Sequence, residues 1–440
     1  MPGLVTVFTF LMIAFDVAEA ASLEEYVLNT VLNNPQIKKS QAELNAAQER
    51  VNQAVASIRP QIGLSMSRAK VSQDRKDQGF PIRSQNYITE SDSLLLQQPL
   101  YRPKLLREYK KMKVEKKAQE YDYLGARNEL VMQVIELYIS YIRAINTRRI
   151  TEKKIALLEE QMLASNKMYS SGRGTITEIA EIRASLDKSN VELISVEQQI
   201  KSTLSELFFI SGLDSQTEVQ EIKKYENLNV FDNVGLDDWK KQALQANFKI
   251  QGIEKRIEAA SVSLASEKYS RYPTLDLTVE LSKGASESTF FVNSETENKS
   301  IGFNFYLPIF SGGRITSRIK QLSYILESER ENMRYEISEV EKKVQRAYYG
   351  LNQSLKLNKA LNTAVNSAEI QLEATKKSAL AGLRRTLDVL ISQQKLISVE
   401  KELNNSVMDV IIYWANLKML SSNLEEQTIK QISNFLYRGY

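Results

Sequence analysis

Neither histidine nor cysteine occurs in the 440 residues. That removes imidazole acid-base catalysis, thiolate nucleophiles, disulfides and the usual zinc ligand sets, and it leaves carboxylate, lysine, serine and tyrosine chemistry. None of these residues falls in a hydrolase motif. Ser311-Gly312-Gly313 before Arg314 lacks the Gly-x-x-x-x-Gly-Lys spacing of a phosphate loop. The basic run RPKLLREYKKMKVEKK at 102–117 has the composition of a nucleic-acid or acidic-lipid patch. Glu108 and Glu115 interrupt it, so it reads as a solvated helix face. The formal charge of +4 is too small to imply nucleic acid. The expectation is a protein without catalysis, cofactor, metal or nucleic-acid partner.

Several features describe the body that carries these residues. Residues 3–15 form an apolar run followed by Ala18-Glu19-Ala20, a secretory signal pattern over 1–20. Past it, no stretch reaches eighteen apolar residues, so any membrane crossing must be made by strands. All eight prolines lie at or before 103 or at 273 and 308, which leaves 104–272 and 309–440 free for long helices.

The chain is also a duplication. Asn34, Ile37, Ala46, Ala47, Pro60 and Leu64 recur as Asn247, Ile250, Ala259, Ala260, Pro273 and Leu277. At a slightly smaller offset Val134, Tyr138, Gly172, Glu192 and Leu193 recur as Val344, Tyr348, Gly382, Glu402 and Leu403. The halves run over 21–215 and 236–425, joined by an equatorial segment at 216–235 and followed by a C-terminal tail at 426–440.

Each half reads as a helix (about 22–58 and 236–270), two strands and a long helical hairpin. The strands are placed at about 60–71, 87–100, 273–284 and 298–309, with polar loops between them. Thr274 to Ser282 alternates strictly, as does Ile301 to Ile309, with Pro99 and Pro308 closing the second strand of each pair. Ten-residue strands with one apolar face suit a transmembrane barrel. Four cannot close one, so copies must pool strands, and a trimer supplies twelve.

The helices at 104–168 and 314–378 would reach roughly 100 Å each. Leu130, Val134, Leu137, Tyr141 and Ala144 form a coiled-coil seam. Antiparallel partners follow at about 176–210 and 386–424, after turns at Gly172-Arg173-Gly174 and Ala381-Gly382. Trp239 and Trp414 are expected in helix packing. Tyr101 and Phe310, near strand ends, are expected in an aromatic girdle, with Phe303, Phe305 and Tyr306 open to girdle or packing roles.

The segments LNNPQIKKSQAELNAAQERVNQAVASIRPQIGLS (32–65) and NKSIGFNFYLPIFSGGRI (298–315) resemble the TolC-like outer membrane efflux proteins, and the resemblance extends over nearly all of the mature chain. The first-half counterpart of the second motif, QQPLYRPKLL at 97–106, has Arg102-Pro103 where the family has a Gly pair. The resemblance implies a mainly α fold carrying a transmembrane β-barrel: a homotrimer with a twelve-stranded barrel in outer-membrane lipid and a twelve-helix barrel in the periplasm. It further implies docking to a periplasmic adaptor and an inner-membrane ABC or proton-driven pump, and an aperture that shuts at the periplasmic tip.

The closing turns map onto SGRGTITEI (171–179) and AGLRRTLDVLIS (381–392). By the family pattern Arg384 bonds Thr177 and Glu178 of a neighbouring helix, and Asp388 forms a ring of three carboxylates in the pore. The family's second acidic ring and its tyrosine before the arginine are replaced by Ile391 and Ala379. A solvated charge at a hairpin turn is the bland alternative for each polar residue. The expected function is a passive exit duct for drugs, small molecules or secreted proteins. A soluble periplasmic coiled-coil scaffold is the competing reading.

Overall fold

The computed structural model describes residues 21–77, 80–213, 228, 234–288 and 291–438. The expected signal segment and nearly all of the equatorial segment lie outside the described residues. The order is α1 (Leu23–Asn33), α2 (Pro35–Ala56), β1 (Gln61–Asp77), β2 (Phe80–Tyr101), α3 (Pro103–Ser170), α4 (Ile176–Ser211), α5 (Leu236–Ala246), α6 (Phe248–Lys268), β3 (Thr274–Ser288), β4 (Phe291–Tyr306), α7 (Arg314–Leu380), α8 (Thr386–Leu420) and α9 (Glu426–Arg438). Helices, a strand pair and a helical hairpin occur twice along the chain. The chain divides into two compact units.

One unit comprises 40–124 and 248–337. It contains the sheet, ordered β1-β2-β3-β4 with every neighbour antiparallel. Register places Ile62, Leu96, Val279 and Ile301 in one cross-strand row and Leu64, Leu94 and Leu281 in the next row on the same face. The opposite face carries Gln61, Ser65, Ser93, Gln97, Thr278, Ser282, Asn298 and Asn304, as strand alternation requires.

The strands run further than the alternation indicated. β1 continues to Asp77 and β2 begins at Phe80, while β3 continues to Ser288 and β4 begins at Phe291, so that the four strands together take in most of what was expected as polar loop. The added part of β1 and β3 is polar in sequence on both alternations, so no period-2 signal exists, while the Tyr87 hydroxyl donating to Gln73 at 3.1 Å accompanies the pairing where the extension begins. β2 also passes Pro99 and ends at Tyr101, because a bulge between Pro99 and Tyr101 absorbs the missing donor. β4 stops at Tyr306, short of Pro308.

The strand–helix junctions of this unit are held by ion pairs. Arg102 binds the buried Asp276 of β3 and Lys104 reaches Glu267 at 2.9 Å, while Lys249 of α6 reaches the buried Glu336 of α7 at 2.9 Å, joining the two helices away from the junctions. Arg102, just past the end of β2, thus adds a side-chain ion pair to the backbone ladder between β2 and β3.

The other unit comprises the residues up to 39, 125–247 and 338–440. Its core is formed where α1, α4, α8 and α9 meet the middle of α3, with Tyr26, Ile135, Tyr138, Leu207, Trp414 and Phe435 fully buried. The expected seam is wider than a coiled-coil stripe. Leu130, Val134 and Ala144 are buried, but Leu137 and Tyr141 are half-exposed, and Val131, Ile135, Tyr138 and Ile142 supply the rest of the buried face. Trp239 and Trp414 are buried as expected, and Lys418 lies over both rings at 5.6 and 5.2 Å.

Two expectations need correction. The opening helix of each half is broken, at Asn34-Pro35 and at Asn247-Phe248. Proline at the first helical position lacks only an N–H that would be unpaired anyway, so the break occurs there without loss. The Asn34 side chain then accepts from Gln36 N–H at 2.8 Å to cap α2. The second correction is α9. Ile429, Ile432, Phe435 and Leu436 recur at helical spacing and are buried, so 426–438 is an amphipathic helix rather than a tail.

Candidate functional site

The two hairpin turns are built by alternating glycine and cap chemistry. After α3, the N–H groups of Arg173 and Gly174 both donate to the Met168 carbonyl, at 2.9 and 3.1 Å, while Gly172 takes φ +75°. Thr175 then caps α4 by accepting from Glu178 N–H at 3.2 Å. After α7, Gly382 takes φ +73° and Leu383 N–H donates to Ser378 at 2.9 Å. Asp388 sits in the first turn of α8 and accepts from Arg385 N–H at 3.2 Å, closing the turn from below.

The expected site residues are distributed over these turns as follows. Arg384 is exposed, and its guanidinium lies 4.0 Å from the Asp388 carboxylate. Thr177 is exposed and Glu178 half-buried on the other turn. Among the described residues Arg384 makes no hydrogen bond to either. One Glu178 carboxylate oxygen is buried without a partner. Ile391, one turn beyond Asp388, is 55% exposed although its neighbours Leu390 and Ser392 are buried. Ile391 is thus the exposed position of the first turns of α8, with the half-buried Asp388 three residues before it and Arg384 in the turn that leads into the helix.

Behind the turns, Leu158 of α3, Ile182 of α4 and Leu390 of α8 form a small buried core joined by Met162, Leu186 and Leu387. Cross-links between the two hairpins continue along the helices. Gln161 donates to Gln393 at 2.7 Å, Lys401 to Glu192 at 2.7 Å and Arg143 to Asp409 at 2.6 Å. Hydrogen bonding from Lys401 holds the Glu192 carboxyl below its ordinary range, opposed by burial and aided by Lys154 at 3.7 Å. Sequence reasoning saw Glu192 only as a repeated residue, because its partner lies in the other half of the chain, at a separation no local pattern encodes.

The sheet is the second functional element. Ile62, Leu64, Met66, Ile301, Phe303 and Phe305 are all more than half exposed. Tyr101 and Tyr306 at the strand ends, with Ile309 and Phe310 beyond β4, continue the exposed apolar surface. Such a surface has no place in water, and on β3 the apolar positions Leu275 to Leu281 cover roughly 20 Å at the usual strand rise. No described helix is long and apolar enough to cross a membrane. No described group of three or more acidic side chains could hold a metal.

A membrane-facing antiparallel sheet joined to two long helical hairpins defines a subunit of an outer-membrane channel. The family model for "Outer membrane efflux protein" matches residues 28–213 and 239–421, and the chain belongs to that family.

Among curated relatives, outer membrane protein TolC of Escherichia coli is 23% identical over 434 residues, covering 95% of this chain and 86% of its own. Alkaline protease secretion protein AprF of Pseudomonas aeruginosa is 22% identical, covering 97% and 90%. Among solved structures, the Campylobacter jejuni CmeC outer membrane channel superposes with a TM-score of 0.81 at 16% identity, covering 96% of this chain and 91% of that one. VceC of Vibrio cholerae gives 0.78 at 18%, covering 92% and 97%. The protein is an outer-membrane exit duct and not an enzyme.

Proposed function

We propose that three copies of the chain close a twelve-stranded barrel and a helical tube, and that the tube is gated at the inner hairpin turns. The observation that carries this reading is the four-stranded sheet, whose apolar face is exposed and whose end strands β1 and β4 run in opposite directions. Copies placed side by side therefore meet β4 to β1 in antiparallel fashion, and a closed ring removes every edge, as lipid demands.

At the turns, Asp388 supplies a ring of three carboxylates that attracts cations, and Arg384 is released from it or engages Thr177 and Glu178 as the aperture changes state. Because Asp388 also caps α8, protonating or neutralising it loosens the turn as well as the ring. Ile391 adds an apolar ring where a second set of acids would otherwise stand. A periplasmic adaptor and an inner-membrane pump, ABC-type or proton-driven, supply the energy.

The relatives include proteins named for protease secretion as well as for efflux. Both secreted proteins and small molecules are therefore candidate cargo, with selection made by the pump.

The test is single-channel conductance of the detergent-purified oligomer in planar bilayers, wild type against Asp388→Ala, with and without divalent cations. A small cation-selective current that divalent cations block, and block less well in the variant, supports the gate. Equal block in both proteins contradicts it. A water-soluble protein that never inserts would favour the scaffold instead.

A further inference from the structure

Charge is distributed unevenly along the helices that leave the sheet. The first fifteen residues of α3, 103–117, carry seven Lys and Arg against two Glu, whereas 118–124 carry Glu120 and Asp122 and no base. In α7, residues 314–323 carry Arg314, Arg318 and Lys320 with no acid, whereas 324–337 carry four Glu against two Arg. Both halves thus change from basic to acidic within a few turns of the strand ends.

Helix stability does not explain this pattern. The positive end of the helix dipole lies at the N-terminus, where acids are favoured and bases disfavoured, and neither α3 nor α7 has an acid in its first turn. Internal pairing does not absorb the charge either. Lys104 and Lys111 have carboxylate partners, but Lys110, Lys117 and Arg314 have none among the described residues, Lys113 lies over the Tyr109 ring, and Arg318 bonds the neutral Gln321 and shares the field of Glu267, a carboxylate already bonded to Lys104.

The uncompensated charges share a surface with exposed apolar groups. Leu106, 59% exposed, lies in one helical row with Lys110, Lys113 and Lys117, and the exposed Ile309 and Phe310 stand five and four residues before Arg314. Apolar side chains giving way to long cationic ones is the order met on leaving hydrocarbon for headgroups, with lysine and arginine stems able to reach back toward the phosphates.

We propose that Lys110, Lys113, Arg314 and Arg318 bind the headgroups of anionic phospholipids in the periplasmic leaflet of the outer membrane, forming a basic collar under the barrel. This revises the reading of 102–117 as merely a solvated face. It rests on the membrane-spanning sheet and is independent of the gate.

The test reconstitutes the full-length protein in nanodiscs of phosphatidylcholine and phosphatidylglycerol in equal amounts, re-extracts it in mild detergent and counts retained lipids by native mass spectrometry. Wild type should retain phosphatidylglycerol preferentially. The Lys110→Gln, Lys113→Gln, Arg314→Gln, Arg318→Gln variant should lose that preference, at roughly fivefold per lost cation. Exchanging each Lys for Arg and each Arg for Lys should preserve it.

Equal retention of the two lipids by wild type overturns the proposal, as does unchanged retention by the glutamine variant. Loss of the lipid to inorganic phosphate at matched ionic strength also overturns it, in favour of a free-phosphate site. A chain that never enters the bilayer overturns the membrane reading, and the collar with it.

Discussion

The side-chain amide of Asn34 donates to the carbonyl of Ile210 at 2.9 Å. The repeat reproduces the bond, with Asn247 donating to Leu420 at 3.0 Å. In both halves, the kink between the two opening helices is fastened to the last turn of the returning hairpin helix. Both asparagines are buried, so each amide satisfies a C-terminal helix carbonyl that water cannot reach.

Removing either amide should leave such a carbonyl without a partner. We expect Asn34→Ala and Asn247→Ala each to lower stability by about 1–3 kcal/mol. The two effects should be of similar size, since the geometry is repeated. Thermal unfolding of the purified protein checks this, and an effect in only one half would show that the two bonds are not equivalent.

The Glu192–Lys401 bond should give the helical hairpins a dependence on acid. The folded-state pKa of Glu192 is depressed. Its contribution is therefore complete above the ordinary glutamate range and is lost as pH falls through the lower, folded value. The unfolding temperature should be flat near neutrality and decline more steeply in acid for wild type than for Glu192→Gln. Both partners are partly exposed, so the difference should be small and reduced by salt.

Gly350 of α7 faces Tyr413 of α8, and a Cβ there would lie 2.5 Å from the tyrosine ring. Glycine inside a helix normally costs about 1 kcal/mol relative to alanine, so its presence marks a close helix approach. We expect Gly350→Ala to destabilise by about 1–3 kcal/mol by forcing the ring aside. Adding Tyr413→Leu should recover much of the loss, and a double-mutant cycle in thermal unfolding measures the coupling.

At the turn of the second hairpin, the exposed Ile391 stands one helical turn from Asp388. Ile391→Asp should create a second carboxylate ring, making the open current more cation-selective and more sensitive to divalent block. Reversal-potential measurements under a salt gradient read the change. An unaltered reversal potential would place Ile391 outside the conduction path.

The plan of the fold was legible to the extent that it repeats or alternates. Asn34 and Pro60 find their counterparts at Asn247 and Pro273, and Leu275 to Leu281 alternate as a strand exposed on one face must. Where neither signal exists the expectation stopped short. The outer parts of β1 and β3 are polar on both faces, and their pairing is carried by backbone bonds that side-chain pattern does not report.

The broken opening helices and α9 did carry signals, in Asn34-Pro35 and in the spacing of Ile429, Ile432, Phe435 and Leu436. These were outweighed by an Ala-rich helical stretch and by position at the chain end. At the turns, Gly172 and Gly382 were legible as repeated turn glycines, whereas Asp388 entered only through the family resemblance. The bonds from Lys401 to Glu192 and from Gln161 to Gln393 were not, because they join halves more than two hundred residues apart.

The central claim is that three chains close one barrel through β1 and β4. A chain without cysteine permits a clean test, since Ser65→Cys on β1 can be combined in turn with Asn298→Cys, Ser300→Cys or Gly302→Cys on β4, all on the polar face. Oxidation in outer-membrane vesicles should give, at one register, a covalent species of three chains and nothing larger, because a closed ring has no free edge. Monomers at every register, or an open ladder extending past three chains, would contradict the account.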